Sequence, residues 1–243
     1  DKEILLKNLA YVNEYLASFE NENVIPNHGF EGISLEIKML AIENSFLEIL
    51  GFRKISAISS VVNLLIKFFK KFQEYYPTLY SRSERIEFTK ALITEIDNVI
   101  NRFGEVKDTA SPELARIRRG ILSIRGKINQ SFASALSRYN QADYLDEIRE
   151  TVVDNRRVLA VKAMHRRKVK GAIMGNSKTG SIVYIEPETT LQYSRELNNL
   201  EYEEKEEVIR ILKEVTDFMR PFLPLLKDYQ NFLIDIDVIS AKA

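Results

Sequence analysis

Arg156, Arg157, Lys162, Arg166, Arg167, Lys168, Lys170 and Lys178 fall between Asn155 and Ile185 with no acid among them. A guanidinium bonds two oxygens of a phosphate or carboxylate at once, and an ammonium acts as a point charge, so such a run suits a polyanion. The chain carries 35 basic and 35 acidic residues, which leaves 27 against 35, a net of −8, outside this segment. Tyr184 is the one aromatic side chain interleaved with the cations. Stacking on unpaired bases is therefore not indicated, whereas sequence-independent contact with a duplex backbone fits. The bland alternative is that the charges only keep a small β unit in solution.

Other chemistry finds little support. The only histidines are His28 and His165, on different segments, and there is no cysteine, so neither a His-based metal cluster nor a catalytic triad can be assembled. His165, beside Arg166, Arg167 and Lys168, reads as a solvated bystander. Glu186 and the cluster from Glu201 to Glu207 could be taken for paired carboxylates, but a solvated charged face is the simpler reading. Gly175-Asn176-Ser177-Lys178-Thr179-Gly180 superficially resembles a phosphate-binding loop. Ser177 stands where the Walker pattern needs glycine, and a strand follows instead of a helix, so the segment reads as a hairpin turn. No catalytic, cofactor-binding or metal-binding residue is expected, and the chain is not expected to be an enzyme.

The elements that position the cations come next. The island itself reads as short strands, Val158 to Ala163, Val169 to Met174 and Ser181 to Ile185, with Leu159 and Val161 on one side and Val158, Ala160 and Lys162 on the other. Almost everything around it reads as helix. Residues 1 to 20 carry Ile4, Leu5, Leu9, Val12, Leu16 and Phe19 in a helical rhythm. Further helices are expected from Ser34 to Leu50 (closed by Gly51), Phe52 to Tyr76, Ser83 to Phe103 and Tyr229 to Ala241. Ser111-Pro112-Glu113 is a helix start, and an apolar stripe runs from Leu114 through Tyr139, with Leu145 and Ile148 extending it. A helix unbroken from Pro112 to Glu150 would be roughly 58 Å long. A second long helix is expected from Pro187 to about Arg220. The two would pair antiparallel, with the β island at their far end.

At 243 residues and 45% apolar content the chain can bury a core. The densest apolar run, Val61 to Phe69, is broken by Asn63 and Lys67, so no membrane partner is expected. No signal peptide is read at Asp1-Lys2-Glu3. The absence of cysteine points to a reducing, cytoplasmic setting. The start at Asp1 and the stop at Ala243 suggest an excised fragment.

Several ordered motifs resemble the MutS superfamily, and within it the bacterial anti-recombination paralogue. Gly104-Glu105-Val106-Lys107-Asp108, Ala110-Ser111-Pro112-Glu113-Leu114 and Ile117-Arg118-Arg119 are similar to the opening of that family's lever helix. Asn155 to Lys162 resembles its first clamp strand, and Lys168-Val169-Lys170-Gly171 its next element. Ser177-Lys178-Thr179-Gly180 and Tyr184-Ile185-Glu186-Pro187 resemble its hairpin and the run closing the clamp. Leu197-Asn198-Asn199-Leu200 resembles the returning lever. Ala160 and Lys170 stand where the family commonly has proline, and Lys178 where it has a small residue.

The resemblance covers roughly residues 95 to 243. It implies a mainly α fold: a helical core (1–108), an ascending lever helix (109–150), a small antiparallel β clamp (151–187), a descending lever (188–224) and a return to the core (225–243). It also implies binding of duplex or branched DNA by the eight basic residues, in recombination control or mismatch-repair-like maintenance. An ATPase using ATP and magnesium would lie outside this chain, with a homodimer as the full assembly and the ribosome as a further partner. The rival readings are an interaction scaffold and binding of structured RNA by the same cations.

Overall fold

The computed structural model describes residues 2–20 and 22–243, with side chains from Leu6 onward. Asp1 lies outside the described residues, and Ile4 and Leu5 of the first apolar stripe lie outside the described side chains. The chain is mainly helical and carries one small four-stranded antiparallel sheet. The helices are α1 (Lys2–Ala17), α2 (Ser34–Leu40), α3 (Ile49–Lys71), α4 (Pro77–Ser83), α5 (Ala91–Val99), α6 (Pro112–Gln141), α7 (Glu188–Met219) and α8 (Leu223–Lys242). The strands are β1 (Leu145–Val153), β2 (Arg156–Lys162), β3 (Gly171–Asn176) and β4 (Ile182–Pro187). Two compact units result: residues up to Ala110 together with Ile209–Ala243, and Ser111–Val208.

In the first unit α3 is the central element. Phe52, Ile55, Ile58, Val62, Leu65 and Phe69 recur at three or four residues, and none is more than 1% exposed. By length and composition α3 could also cross a membrane, but its apolar stripe packs against α4, α5 and α8. Gly51 does not end a helix, as expected from sequence, but lies buried inside α3. The expected helix from Ser34 to Leu50 stops at Leu40 instead. Arg220 donates to the carbonyls of Leu40, Ile42 and Ser45 at 2.6, 2.7 and 2.7 Å, which satisfies acceptors that a turn leaves open. The helix expected from Ser83 to Phe103 is likewise shorter. Pro77–Ser83 forms its own helix, whose first free N–H groups, Thr78 and Leu79, donate to the Glu14 carboxylate at 2.7 and 2.9 Å.

In the second unit α6 begins as its sequence dictates. Ser111 Oγ accepts from the Leu114 N–H at 2.9 Å, with Pro112 in the first turn. Its 30 residues span about 45 Å. It ends at Gln141, nine residues before the expected Glu150. Asp143 adopts a left-handed backbone (φ 57°), the Tyr144 N–H returns to the Tyr139 carbonyl, and the Asp143 N–H to that of Asn140. This is the paired closure that terminates a helix, with Tyr139 and Tyr144 stacked over it at 6.4 Å.

Leu145 and Ile148 therefore belong to strand β1 and not to a helical stripe. Asp154 and Asn155, both with positive φ (48° and 60°), make the two-residue turn from β1 into β2, where Val153 faces Arg156. The sheet order is β1-β2-β4-β3, with every neighbouring pair antiparallel. Leu159, Val161, Val183 and Ile185 bury one face against Phe132, Ala135 and Tyr139 of α6 and against Val169. The β3–β4 connection is the hairpin expected at residues 175–180: the Ser177 N–H donates to the Ile182 carbonyl at 2.9 Å, and Gly180 has φ +70°.

Within this unit α6 meets the first part of α7 through polar pairs that run in opposite directions along the two helices. Ser111 bonds Glu207 at 2.6 Å, Arg118 bonds Glu204 at 2.7 Å, Arg125 bonds Glu201 at 3.0 Å, and Ser131 bonds the Thr189 carbonyl at 2.9 Å. The Glu201–Glu207 cluster is thus a partnered face and not a freely solvated one.

Candidate nucleic-acid interface

The eight cations divide into two groups according to what the fold places beside them. The three on β2 or directly ending it are held by acids. Arg156 Nη1 donates to Glu186 Oε2 at 2.8 Å, and Glu186, only 1% exposed, also accepts from the Ser194 hydroxyl. Glu186 is therefore a buried, fully bonded carboxylate, in contrast to the solvated acid expected from sequence. Arg157 donates to Glu150 at 2.6 Å and Asn129 at 3.2 Å, and its guanidinium lies 4.3 Å over the Phe132 ring. Lys162 Nζ donates to Asp143 Oδ1 at 2.8 Å. That hydrogen bond, then the Lys162 charge and the nearby His165, hold the Asp143 carboxyl below its ordinary value.

The other five, Arg166, Arg167, Lys168, Lys170 and Lys178, are exposed, and among the described residues none of them has an acid at ion-pair distance. Four of them sit on the crossing that carries the chain from β2 over to β3, and Lys178 sits on the β3–β4 turn. The crossing is strapped at both ends. The Ala163 N–H donates to the Ser181 carbonyl at 2.9 Å, and the Glu188 N–H donates to the Lys170 carbonyl at 3.0 Å. Ala163–Lys168 is a 3₁₀ turn, followed by Val169 buried in the core. Gly171 then passes so close to β4 that a Cβ would lie 2.0 Å from the Glu186 carbonyl oxygen, so no larger residue fits.

His165 is not a solvated bystander. Its ring lies 4.8 Å from that of Tyr144, and its Nδ1 is buried without a hydrogen-bond partner among the described residues. Lys168 Nζ stands 5.1 Å over the same tyrosine. Tyr144 is an aromatic neighbour of the cations that the sequence does not announce, because it precedes the basic segment and falls within the expected long helix. Its ring already has Tyr139, His165 and Lys168 as neighbours.

The same misplacement hid the acids. Strand β1 and its flanks bring Asp143, Asp146, Glu147, Glu150 and Asp154 beside the basic strand, and Glu186 is added from β4. Residues 143–187 hold nine basic and six acidic side chains, a net of +3. The signal that could have revealed β1 is the Asp154-Asn155 pair between two β-rich runs, a two-residue hairpin pattern. Among the described residues no His, Asp and Glu side chains group as metal ligands.

No family model matches the chain. Curated proteins do. The chain is 36% identical over 176 residues to Endonuclease MutS2 of Carboxydothermus hydrogenoformans, covering 72% of this chain and 23% of that protein. To Endonuclease MutS2 of Finegoldia magna it is 34% identical over 193 residues, 78% of the chain and 24% of that protein. To that of Caldicellulosiruptor bescii it is 28% identical over 235 residues, 96% of the chain and 28% of that protein. The chain spans about a quarter of the length of the curated relatives it matches. With the expected motifs in place and one family recurring over most of its length, the chain belongs to the MutS2 family, as a part of such a protein.

Proposed function

We propose that this chain is the core, lever and clamp portion of a MutS2-type protein, and that it holds duplex or branched DNA by its phosphate backbone. In this reading residues 145–187 are the clamp, the paired parts of α6 and α7 in the second unit are its lever, and the helices of the first unit are core. The observation that carries it is the group of five exposed cations, Arg166, Arg167, Lys168, Lys170 and Lys178, held on one strapped crossing and one turn with no acid beside them among the described residues. Lys and Arg in that state gain by releasing the counterions condensed on a duplex, whereas paired cations must first give up an acid.

The reading refines the eight-residue site. Arg156, Arg157 and Lys162 become architectural, and the five free cations become the phosphate contacts. The chain itself would not be an enzyme. ATP, magnesium, dimer formation and the endonuclease activity named for the relatives would belong to the remainder of the parent protein. A cytoplasmic role in recombination control or mismatch-repair-like maintenance follows from the same reading.

Fluorescence anisotropy with linear and branched duplexes over a salt series tests it. The chain should bind without sequence preference, at roughly 10⁻⁴ to 10⁻⁶ M near physiological salt. Replacing Arg166, Arg167 and Lys168 with Ala should lower affinity and flatten the plot of log K against log salt by about 0.9 per lost phosphate contact. An unchanged slope overturns the assignment. Structured RNA presents the same phosphates, and a competition with ribosomes that removes all bound DNA at substoichiometric amounts would favour RNA instead.

A further inference from the structure

The crossing from β2 to β3 carries one side chain that phosphate binding does not use. Met164 is 80% exposed, the highest value among the exposed large hydrophobic residues described. It sits in the 3₁₀ turn Ala163–Lys168, where residues three apart fall on the same edge. On the edge formed by His165 and Lys168 both side chains lie against the Tyr144 ring, at 4.8 and 5.1 Å. The edge formed by Met164 and Arg167 is turned to solvent. A flexible apolar chain and an unpaired guanidinium therefore stand side by side in the midst of the free cations.

We propose that Met164 is a wedge that enters a weakened base step of duplex DNA while Arg167 and its neighbours hold the flanking phosphates. Proteins that grip the minor groove insert apolar side chains, methionine among them, between base pairs next to cations that neutralise the backbone. The unbranched thioether fits irregular gaps without a fixed shape. Unstacking an intact step costs a few kcal/mol, and a step already opened at a branch point or bulge spares most of that cost. The wedge thus gives a backbone-binding surface a reason to prefer disrupted duplexes without reading sequence. The inference rests on the DNA reading above and narrows its substrate to duplexes with an interrupted base stack.

The test uses the chain with 2-aminopurine placed at the branch point of a three-way junction, and with the same base inside a fully paired duplex. Binding at saturation should raise 2-aminopurine emission at the junction, and the junction should bind about tenfold tighter than the duplex, the fold-change expected from burying one methionine side chain. Met164→Ala should abolish both effects while leaving duplex affinity and its salt slope unchanged. Met164→Leu should retain them. Met164→Lys should tighten duplex binding and steepen the salt dependence yet still lose the junction preference. Circular dichroism should be the same for all three, since an exposed side chain carries no packing.

Saturable DNA binding with no change in emission, or a Met164→Ala junction response equal to that of the native chain, overturns the wedge and leaves phosphate binding intact. Absence of saturable binding to either DNA at low salt overturns both.

Discussion

The two halves of the basic segment contrast sharply. From Arg156 to Lys162 the cations lie on a strand with acidic neighbours on both sides, and each is bonded to a carboxylate. From Arg166 to Lys178 they lie on a crossing and a turn, and none of them is. Side-chain chemistry is the same in both halves. What differs is the backbone: a strand in a sheet has neighbours fixed about 5 Å away on each side, so partners can be built in, whereas a crossing segment faces water. Linear charge density therefore overstates an interface, and the part of a basic run most able to bind a ligand is the part outside the ladder.

The largest expected effect comes from removing the platform of the free half. Gly171→Ala forces a Cβ to within 2.0 Å of the Glu186 carbonyl, so β3 must leave its register. We expect a loss of about 3 kcal/mol in urea denaturation. DNA affinity should drop with it, while the β1–β2 half keeps its amide protection in hydrogen exchange. Equal loss of protection across all four strands would show the halves to be one cooperative piece.

Next comes the buried acid of the paired half. Glu186→Ala deprives Arg156 and Ser194 of their common acceptor. It should destabilise the second unit by about 3 kcal/mol. At temperatures where the unit stays folded, DNA affinity should not fall, and a fall would place Glu186 or Arg156 in the interface.

The smallest effect sharpens the comparison most directly. Asp143→Asn releases Lys162 without disturbing the core, since Asp143 is exposed. Lys162 then joins the free group, and the salt slope for DNA should steepen by about 0.9. The same pair has a pH consequence. The carboxyl is held below its ordinary value of 3.8. Its contribution is present above that value and is lost as pH falls through the lower folded value. The native chain should therefore lose stability relative to Asp143→Asn only below about pH 4, read as a converging urea midpoint. Convergence already at pH 6 would show that the Asp143 carboxyl is not the cause.

Much of the fold could be read along the chain because it depends on local signals. The Ser111-Pro112-Glu113 start of α6, the stripe on α3, the apolar run in β2 and the 175–180 hairpin each rest on residues within one turn or one strand. The errors fall where distant residues decide. The helix from Ser34 stops at Leu40 with Arg220, 180 positions away, holding its last carbonyl. Similarly, α6 stops at Gln141 through a left-handed Asp143, with no glycine to announce it. Helix read on past Asp143 takes β1, Tyr144 and five acids out of view, and with them the pairing of Arg157 and Lys162.

By itself, then, the sequence determined that the chain is mainly helical with a short β-rich stretch, where the positive charge gathers, and the family. Those properties follow from side-chain spacing and type, which no partner can alter. Only the tertiary structure decided which cations remain available, because a charge is neutralised by whatever folds against it. Here that is a strand ending two residues before the segment begins and, for Arg156, a glutamate on β4 thirty residues further along the chain.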